Sequence, residues 1–138
     1  MSPDVAASSE LAAGHVIPPR RFGPFSAKMV AAYAEASGDD NPLHSDASLA
    51  ARAGLARPPI HGMLIMGCFE PYLHAWRPAA SIVKLSGKFI RPVLVGDSIE
   101  VSGKVVQAAA GVPAVLRLMV RGDDGRDLVC LAEAFVEP

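Results

Sequence analysis

The sequence lacks the features that mark membrane, secreted and nucleic-acid-binding proteins. No apolar run approaches the roughly 18 residues of a membrane-spanning helix. The opening residues have neither the basic segment nor the sustained apolar segment of a secretory signal. A net charge of −1 gives no electrostatic reason to expect a nucleic acid or a membrane surface as partner. We therefore expect a cytoplasmic protein with a flexible N-terminal tail over residues 1–14 and one folded domain over 15–138.

Cysteine is scarce as well. Only Cys68 and Cys130 are present, and their separation fits neither a metal site nor a redox pair. Both lie in apolar stretches, which favours buried free thiols. No internal repeat or linker divides the chain, and 138 residues suit a single domain with a real core.

Hydrophobic patterning predicts helices in the first half of the chain. Helical spacing begins after Ser26, a candidate N-cap, and Gly38 ends this helix. A short helix follows, with Ser45 as its candidate cap. Residues 63–75 are apolar on nearly all sides, which predicts one long buried helix that Pro71 kinks or ends.

The second half is typical of strands. Four segments have strand character: residues 81–91, 98–107, 112–121 and 127–136. Gly122-Asp123-Asp124-Gly125 predicts a hairpin between the last two, while the prolines of residues 16–25 favour an edge strand or an extended arm. The pattern predicts an α+β domain in which an antiparallel sheet wraps around a buried helix. The order of the strands does not follow from it.

Two short motifs carry the residues with chemical potential. Asp39 and His44 lie five residues apart around an Asn-Pro step, which favours a stiff turn able to aim both side chains at one point. A carboxylate beside an imidazole is a general acid/base pair. The second motif, Pro59 to Met63, contains Gly62 at the predicted start of the buried helix. Its backbone N–H would be unpaired there and could serve as an oxyanion hole for charge developing on an oxygen atom.

Each of these residues also has a purely structural interpretation. Asp39 could simply hold the turn, and the adjacent Asp40 has the same chemistry. We expect Asn41 to support the site by fixing the loop through local hydrogen bonds. His61 is a second imidazole near the motif, and its expected role is to hold the start of the helix.

The sequence signals for residues that contact substrate are less specific. Met63 and Phe69, on the predicted long helix, fit a substrate pocket and fit a plain core equally. Scattered basic residues could meet the phosphates of a carrier group: Arg52, Arg57, Lys84, Lys88 and Arg91. The sequence does not decide among them.

Three segments together resemble a known family. YAEASGDDNPLH from residue 33, RPPIHGML from residue 57 and KFIRPVLVGDSIEVSGKVV from residue 88 are similar to the MaoC-like, (R)-specific enoyl-CoA hydratases, which have the hot-dog fold. The resemblance implies hydration of trans-2-enoyl-CoA to (R)-3-hydroxyacyl-CoA, or the reverse dehydration, with Asp39 and His44 as the catalytic dyad. It implies a homodimer or a protein built from two hot-dog units. It implies no cofactor or metal, since CoA or acyl-carrier-protein pantetheine is part of the substrate.

Several alternatives remain open at this point. The carrier could be an acyl-carrier protein, which would make the protein a (3R)-hydroxyacyl-ACP dehydratase. A hot-dog thioesterase or a non-catalytic partner subunit would share the fold. The acyl chain length, the physiological direction, and the division of base and acid between Asp39 and His44 are not decided by the sequence.

Overall fold

A five-stranded antiparallel sheet dominates the structure, a computed structural model that describes residues 11–137. The strands are β1 (Val16–Phe22), β2 (Ser81–Phe89), β3 (Ile99–Gln107), β4 (Ala114–Arg121) and β5 (Leu128–Glu137). Their order is β1-β3-β4-β5-β2, so β1 and β2 form the edges. The predicted α+β architecture and the edge position of the proline-rich segment are confirmed. Residues 1–10 of the predicted N-terminal tail lie outside the described residues.

The three central strands carry the core. Alternate side chains of β3, β4 and β5 are buried, as a sheet with one covered face requires. The predicted hairpin joins β4 to β5, and Asp124 accepts hydrogen bonds there from the backbone N–H groups of Arg126 and Asp127. Gly125 has a φ of 69°, a backbone conformation that glycine adopts without strain.

Four helices cover one face of the sheet or lead to it. They are α1 (Ala27–Ser37), α2 (Ala47–Arg52), α3 (Gly62–Met66) and α4 (Phe69–Trp76). The predicted ends of α1 are confirmed: Ser26 accepts the N–H of Met29, and Gly38 follows with a φ of 79°. The predicted cap of α2 is wrong by one residue. Asp46, not Ser45, accepts the N–H groups of the first turn. The hydrogen bond from the Ser48 hydroxyl, together with the backbone bonds from Leu49 and Ser48, lowers the pKa of its carboxyl group.

The predicted single helix over residues 63–75 is also wrong. The chain forms two short helices instead, α3 and α4, separated at Gly67 and Cys68. Pro71 does not cause the break, because it lies in the first turn of α4, where a missing N–H does little harm. The segment is not buried on all sides either: the side chain of Met63 is 62% exposed.

Both cysteines are free and buried, as predicted. Burial raises the pKa of the Cys68 thiol to about 11, because the thiolate would lose its hydration. Among residues 11–137, no helix is long and apolar enough to span a bilayer.

Backbone pairing brings the second motif beside the segment that precedes β3. The N–H of Ile60 donates to the carbonyl of Val93 at 2.8 Å, and the N–H of Val95 donates to that of Pro58 at 2.8 Å. Pro59 and Leu94 form a bridge between these two bonds. The start of α3 is therefore held by residues more than 30 positions away in the sequence.

Candidate active site

The loop after α1 is shaped by hydrogen bonds that span only two or three residues. The N–H of Asp39 donates to the hydroxyl of Ser37 at 3.1 Å. The side-chain oxygen of Asn41 accepts the N–H of Leu43 at 3.0 Å and caps a 3₁₀ turn over Pro42–His44. Asn41 therefore occupies the supporting position expected from the sequence, since its bond determines how the chain turns toward His44.

The His44 ring is oriented by the second motif. Its Nδ1 lies 2.8 Å from the carbonyl oxygen of Pro59. Because a carbonyl can only accept, Nδ1 carries the hydrogen and donates it. A neutral imidazole in this tautomer leaves a lone pair on Nε2, which is then free to accept a proton.

His61 connects the two motifs. Its side chain is 1% exposed, and Nε2 lies 2.9 Å from the backbone carbonyl oxygen of Asp39, to which it donates. Its ring stacks on that of His44, with centroids 3.8 Å apart and planes inclined by 24°. Tyr33, for which the sequence predicts no role at the site, covers His61 with a ring centroid 4.8 Å away. Both ends of the loop are thus braced against this one buried imidazole.

The three polar side chains converge. A carboxylate oxygen of Asp39 and a ring nitrogen of each of His44 and His61 all lie within 4.8 Å of one another. Two groups this close can share one water molecule by hydrogen bonds of ordinary length. Asp40 is exposed and makes no hydrogen bond within residues 11–137. Of the two adjacent aspartates, Asp39 is the one that belongs to this cluster.

The same three groups are also a possible metal-ligand set by composition. Two imidazoles and one carboxylate are common ligands of transition metals. The rings of His44 and His61 are stacked in nearly parallel planes, however. Lone pairs of imidazole lie in the plane of the ring, so those of stacked rings do not converge on one point. The arrangement favours proton transfer over metal binding.

Gly62 begins α3, next to an apolar groove. No acceptor for its N–H lies within the described part of the chain. The helix has five residues, so its dipole adds little and the unpaired N–H itself is the relevant donor. The groove has a volume of about 390 Å³ and is lined by Ile60, Gly62, Ile65, Phe89, Ile90, Arg91, Pro92 and Val93.

The predicted pocket residues lie elsewhere. Phe69 is fully buried in the core and Met63 is on the surface, and neither lines the groove beside Gly62. The groove instead takes one wall from Phe89 and Ile90, at the end of β2, for which the sequence predicts no role at the site. Their only signal was an apolar pair before Pro92. Among the basic candidates, Arg91 lines the groove, whereas Arg57 is paired with Asp97 at 3.0 Å.

Comparison with known proteins gives concordant matches. An (R)-specific enoyl-CoA hydratase of Aeromonas caviae is 34% identical over 120 residues, which cover 86% of this chain and 87% of that protein. A mitochondrial 3-hydroxyacyl-[acyl-carrier-protein] dehydratase of Arabidopsis thaliana is 40% identical over 95 residues. That match covers 69% of this chain and 56% of the relative, so the chain spans little more than half of its length.

The fold comparison agrees. The solved structure of the (R)-hydratase from A. caviae involved in PHA biosynthesis has a TM-score of 0.82 and 32% identity, covering 92% of this chain and 96% of that one. The sheet and helices described above are therefore the hot-dog fold expected from the resemblance. The MaoC like domain family matches residues 12–115, about three quarters of the sequence. On this match and on the Aeromonas relative, the chain belongs to the MaoC-like domain family.

Proposed function

We propose that this protein is a hydro-lyase that adds water to trans-2-enoyl thioesters to give (R)-3-hydroxyacyl thioesters, or catalyses the reverse dehydration. One observation carries the proposal: the Asp39 carboxylate lies within 4.8 Å of a His44 ring. The hydrogen bond to Pro59 leaves a lone pair on Nε2 of that ring. A carboxylate and an imidazole with a free lone pair, this close together, suit proton removal from a water held between them.

The reaction needs no other reagent. Asp39 and His44 hold the water while its oxygen attacks C3 of the enoyl group, and one member of the pair takes the proton released. The C2–C3 double bond opens toward C2, which receives a proton from the pair, so no proton is gained or lost overall. We do not divide the two steps between the residues, because groups this close titrate as a pair.

Gly62 is the proposed donor to the thioester oxygen. Electron density moves onto that oxygen when water attacks C3, and an aligned N–H lowers the energy of the resulting enolate. Its unpaired N–H supports this role. Asn41 and His61 are proposed to support the dyad, the first by capping the turn and the second by bracing the loop. The chemistry uses proton transfer and hydrogen bonding alone, so we propose no cofactor and no metal.

The working unit is proposed to be a homodimer. Within residues 11–137, β2 is an edge strand with no strand paired on its outer side, and Val83 on it is an exposed apolar side chain. An uncovered apolar edge invites pairing with a second copy. Size-exclusion chromatography with light scattering tests this, and a purely monomeric protein at micromolar concentration would contradict it.

Hydration of crotonyl-CoA is the direct test. The purified chain alone should remove the absorbance of the enoyl thioester, and chiral analysis should find the (R)-3-hydroxybutyryl product. A free-thiol assay on the same mixture separates hydration from thioesterase activity, which would release CoA. Inactivity of the pure chain toward both CoA and carrier-protein thioesters would favour a non-catalytic partner subunit.

A second candidate differs only in the carrier. The Arabidopsis relative, which bears the name of a 3-hydroxyacyl-[acyl-carrier-protein] dehydratase, supports a (3R)-hydroxyacyl-ACP dehydratase. Comparing kcat/KM for the same acyl group on CoA and on acyl-carrier protein distinguishes the two candidates.

A further inference from the structure

The ring of Phe89 lies directly against Gly62. A Cβ atom built on Gly62 would be 2.9 Å from Cζ of Phe89 and 3.0 Å from Cε2, closer than atoms of two side chains normally pack. The ring therefore packs against the backbone of Gly62, in the space that a side chain would occupy. Phe89 does not block the groove, because both residues line it together.

The ring also borders the path to the Gly62 N–H. In a helix, Cα–Cβ bonds tilt toward the N-terminus, which is the direction in which the first N–H groups point. A thioester oxygen bound at that N–H would thus bring the carbonyl carbon and C2 of the acyl group next to the Phe89 ring. Carbons farther along the chain would meet the groove side chains beyond, Ile60, Ile65 and Val93.

We infer that Phe89 is a specificity-determining residue that admits unbranched acyl thioesters and excludes those with a methyl branch at C2. The inference rests on the proposed role of Gly62 as the thioester-oxygen donor. A hydrogen at C2 fits beside the ring, whereas a methyl group competes with the ring for the same space. Apolar pockets discriminate a single carbon by about 10- to 200-fold, which sets the scale of the expected selectivity.

The position of Phe89 allows its side chain to be truncated to alanine without disturbing the fold. Its side chain is 45% exposed and lies at the end of an edge strand, so truncation removes little from the core. Leu131 offers a matched control, because it is 36% exposed and follows Cys130, the residue paired with Phe89 in β5. Neighbouring residues of a strand point to opposite faces, so Leu131 lies away from the groove.

Binding of saturated acyl-CoAs tests the inference without relying on catalysis. The probes are butyryl-CoA and 2-methylbutyryl-CoA, with dissociation constants measured by calorimetry for the full chain. The wild type should bind butyryl-CoA about 10-fold more tightly. In Phe89→Ala this ratio should fall to about 3 or less, while Leu131→Ala keeps the wild-type ratio. Equal binding of both probes by the wild type, or an unchanged ratio in Phe89→Ala, would overturn the inference.

Kinetics separate this inference from the proposed function. With crotonyl-CoA and 2-methylcrotonyl-CoA as substrates, Phe89→Ala should raise the relative kcat/KM of the branched substrate by about 10-fold. A wild type that hydrates crotonyl-CoA with no change of preference in Phe89→Ala refutes the role of Phe89 alone. A wild type that binds the probes selectively and hydrates neither substrate refutes the proposed function alone.

Discussion

The two halves of the site are built in opposite ways. The loop that carries Asp39 and His44 is largely exposed, and its internal hydrogen bonds join residues two or three positions apart. The segment from Pro58 to Gly62 has three buried residues at its centre. Its hydrogen bonds join it to the residues around Leu94 on one side and to the loop on the other. One half presents the proposed catalytic groups, and the other holds them in position.

This difference predicts how the halves respond to mutation. Exposed side chains with few long-range contacts contribute little to the free energy of unfolding. Buried polar side chains contribute more, because their removal leaves both a cavity and an unpaired partner. We therefore expect changes in the loop to alter activity with little loss of stability, and changes at His61 to alter both.

Replacing a member of the dyad should have the largest effect on rate. Asp39→Asn keeps the shape of the side chain and removes its charge, so kcat should fall by about 10²- to 10⁴-fold. The free energy of unfolding, from urea titration, should change by less than about 0.5 kcal/mol. Asp40→Asn is the matched control and should retain nearly full activity. Loss of activity in the control and not in Asp39→Asn would place the catalytic carboxylate one residue later.

His61→Ala tests the buried half. Loss of a fully buried ring together with its bond to the Asp39 carbonyl should lower the free energy of unfolding by roughly 2–4 kcal/mol. The loop would also lose the ring that supports His44, so kcat should fall by about 10-fold or more. His61→Gln, which can place an N–H near the same carbonyl, should recover part of both. A stable and fully active His61→Ala variant would show that the buried half does not hold the loop in position.

Gly62→Ala tests the contact between the buried half of the site and the groove. The added methyl group would meet the Phe89 ring, so kcat/KM for crotonyl-CoA should fall by roughly 10-fold. In a Phe89→Ala background the same change should have a smaller effect, because the clash is removed. A double-mutant cycle measures this coupling, and additive effects would show that the two residues act independently.

Asn41→Ala should have the smallest effect. The variant loses the cap of the 3₁₀ turn, which is worth about 1 kcal/mol in unfolding free energy. Activity should fall only several-fold, since both members of the proposed dyad remain. Asn41→Asp keeps an oxygen acceptor for the Leu43 N–H and should behave like the wild type in thermal unfolding and in rate. Equal losses in both variants would assign Asn41 a role other than capping.

Features that depend on a few neighbouring residues, such as helix ends and tight turns, follow from the sequence. Ser26 and Gly38 mark the ends of α1, and Gly122 to Gly125 mark a hairpin, because caps and tight turns depend on a few neighbouring residues. The sequence predicts a kink or an end of one long helix at Pro71, whereas the helix breaks at Gly67 and Cys68. Proline is compatible with the first turn of a helix, so its presence did not locate the break.

Residue order alone determined the α+β class, the edge position of the proline-rich strand and the stiff turn that carries Asp39 and His44. These depend on periodicity and on bonds between near neighbours. Only the tertiary structure decided that His61 braces this turn, that Pro59 orients the His44 ring, and that Phe89 forms the wall beside Gly62. Contacts between residues 15 to 30 positions apart depend on how strands and helices pack, and packing leaves no local pattern in the sequence.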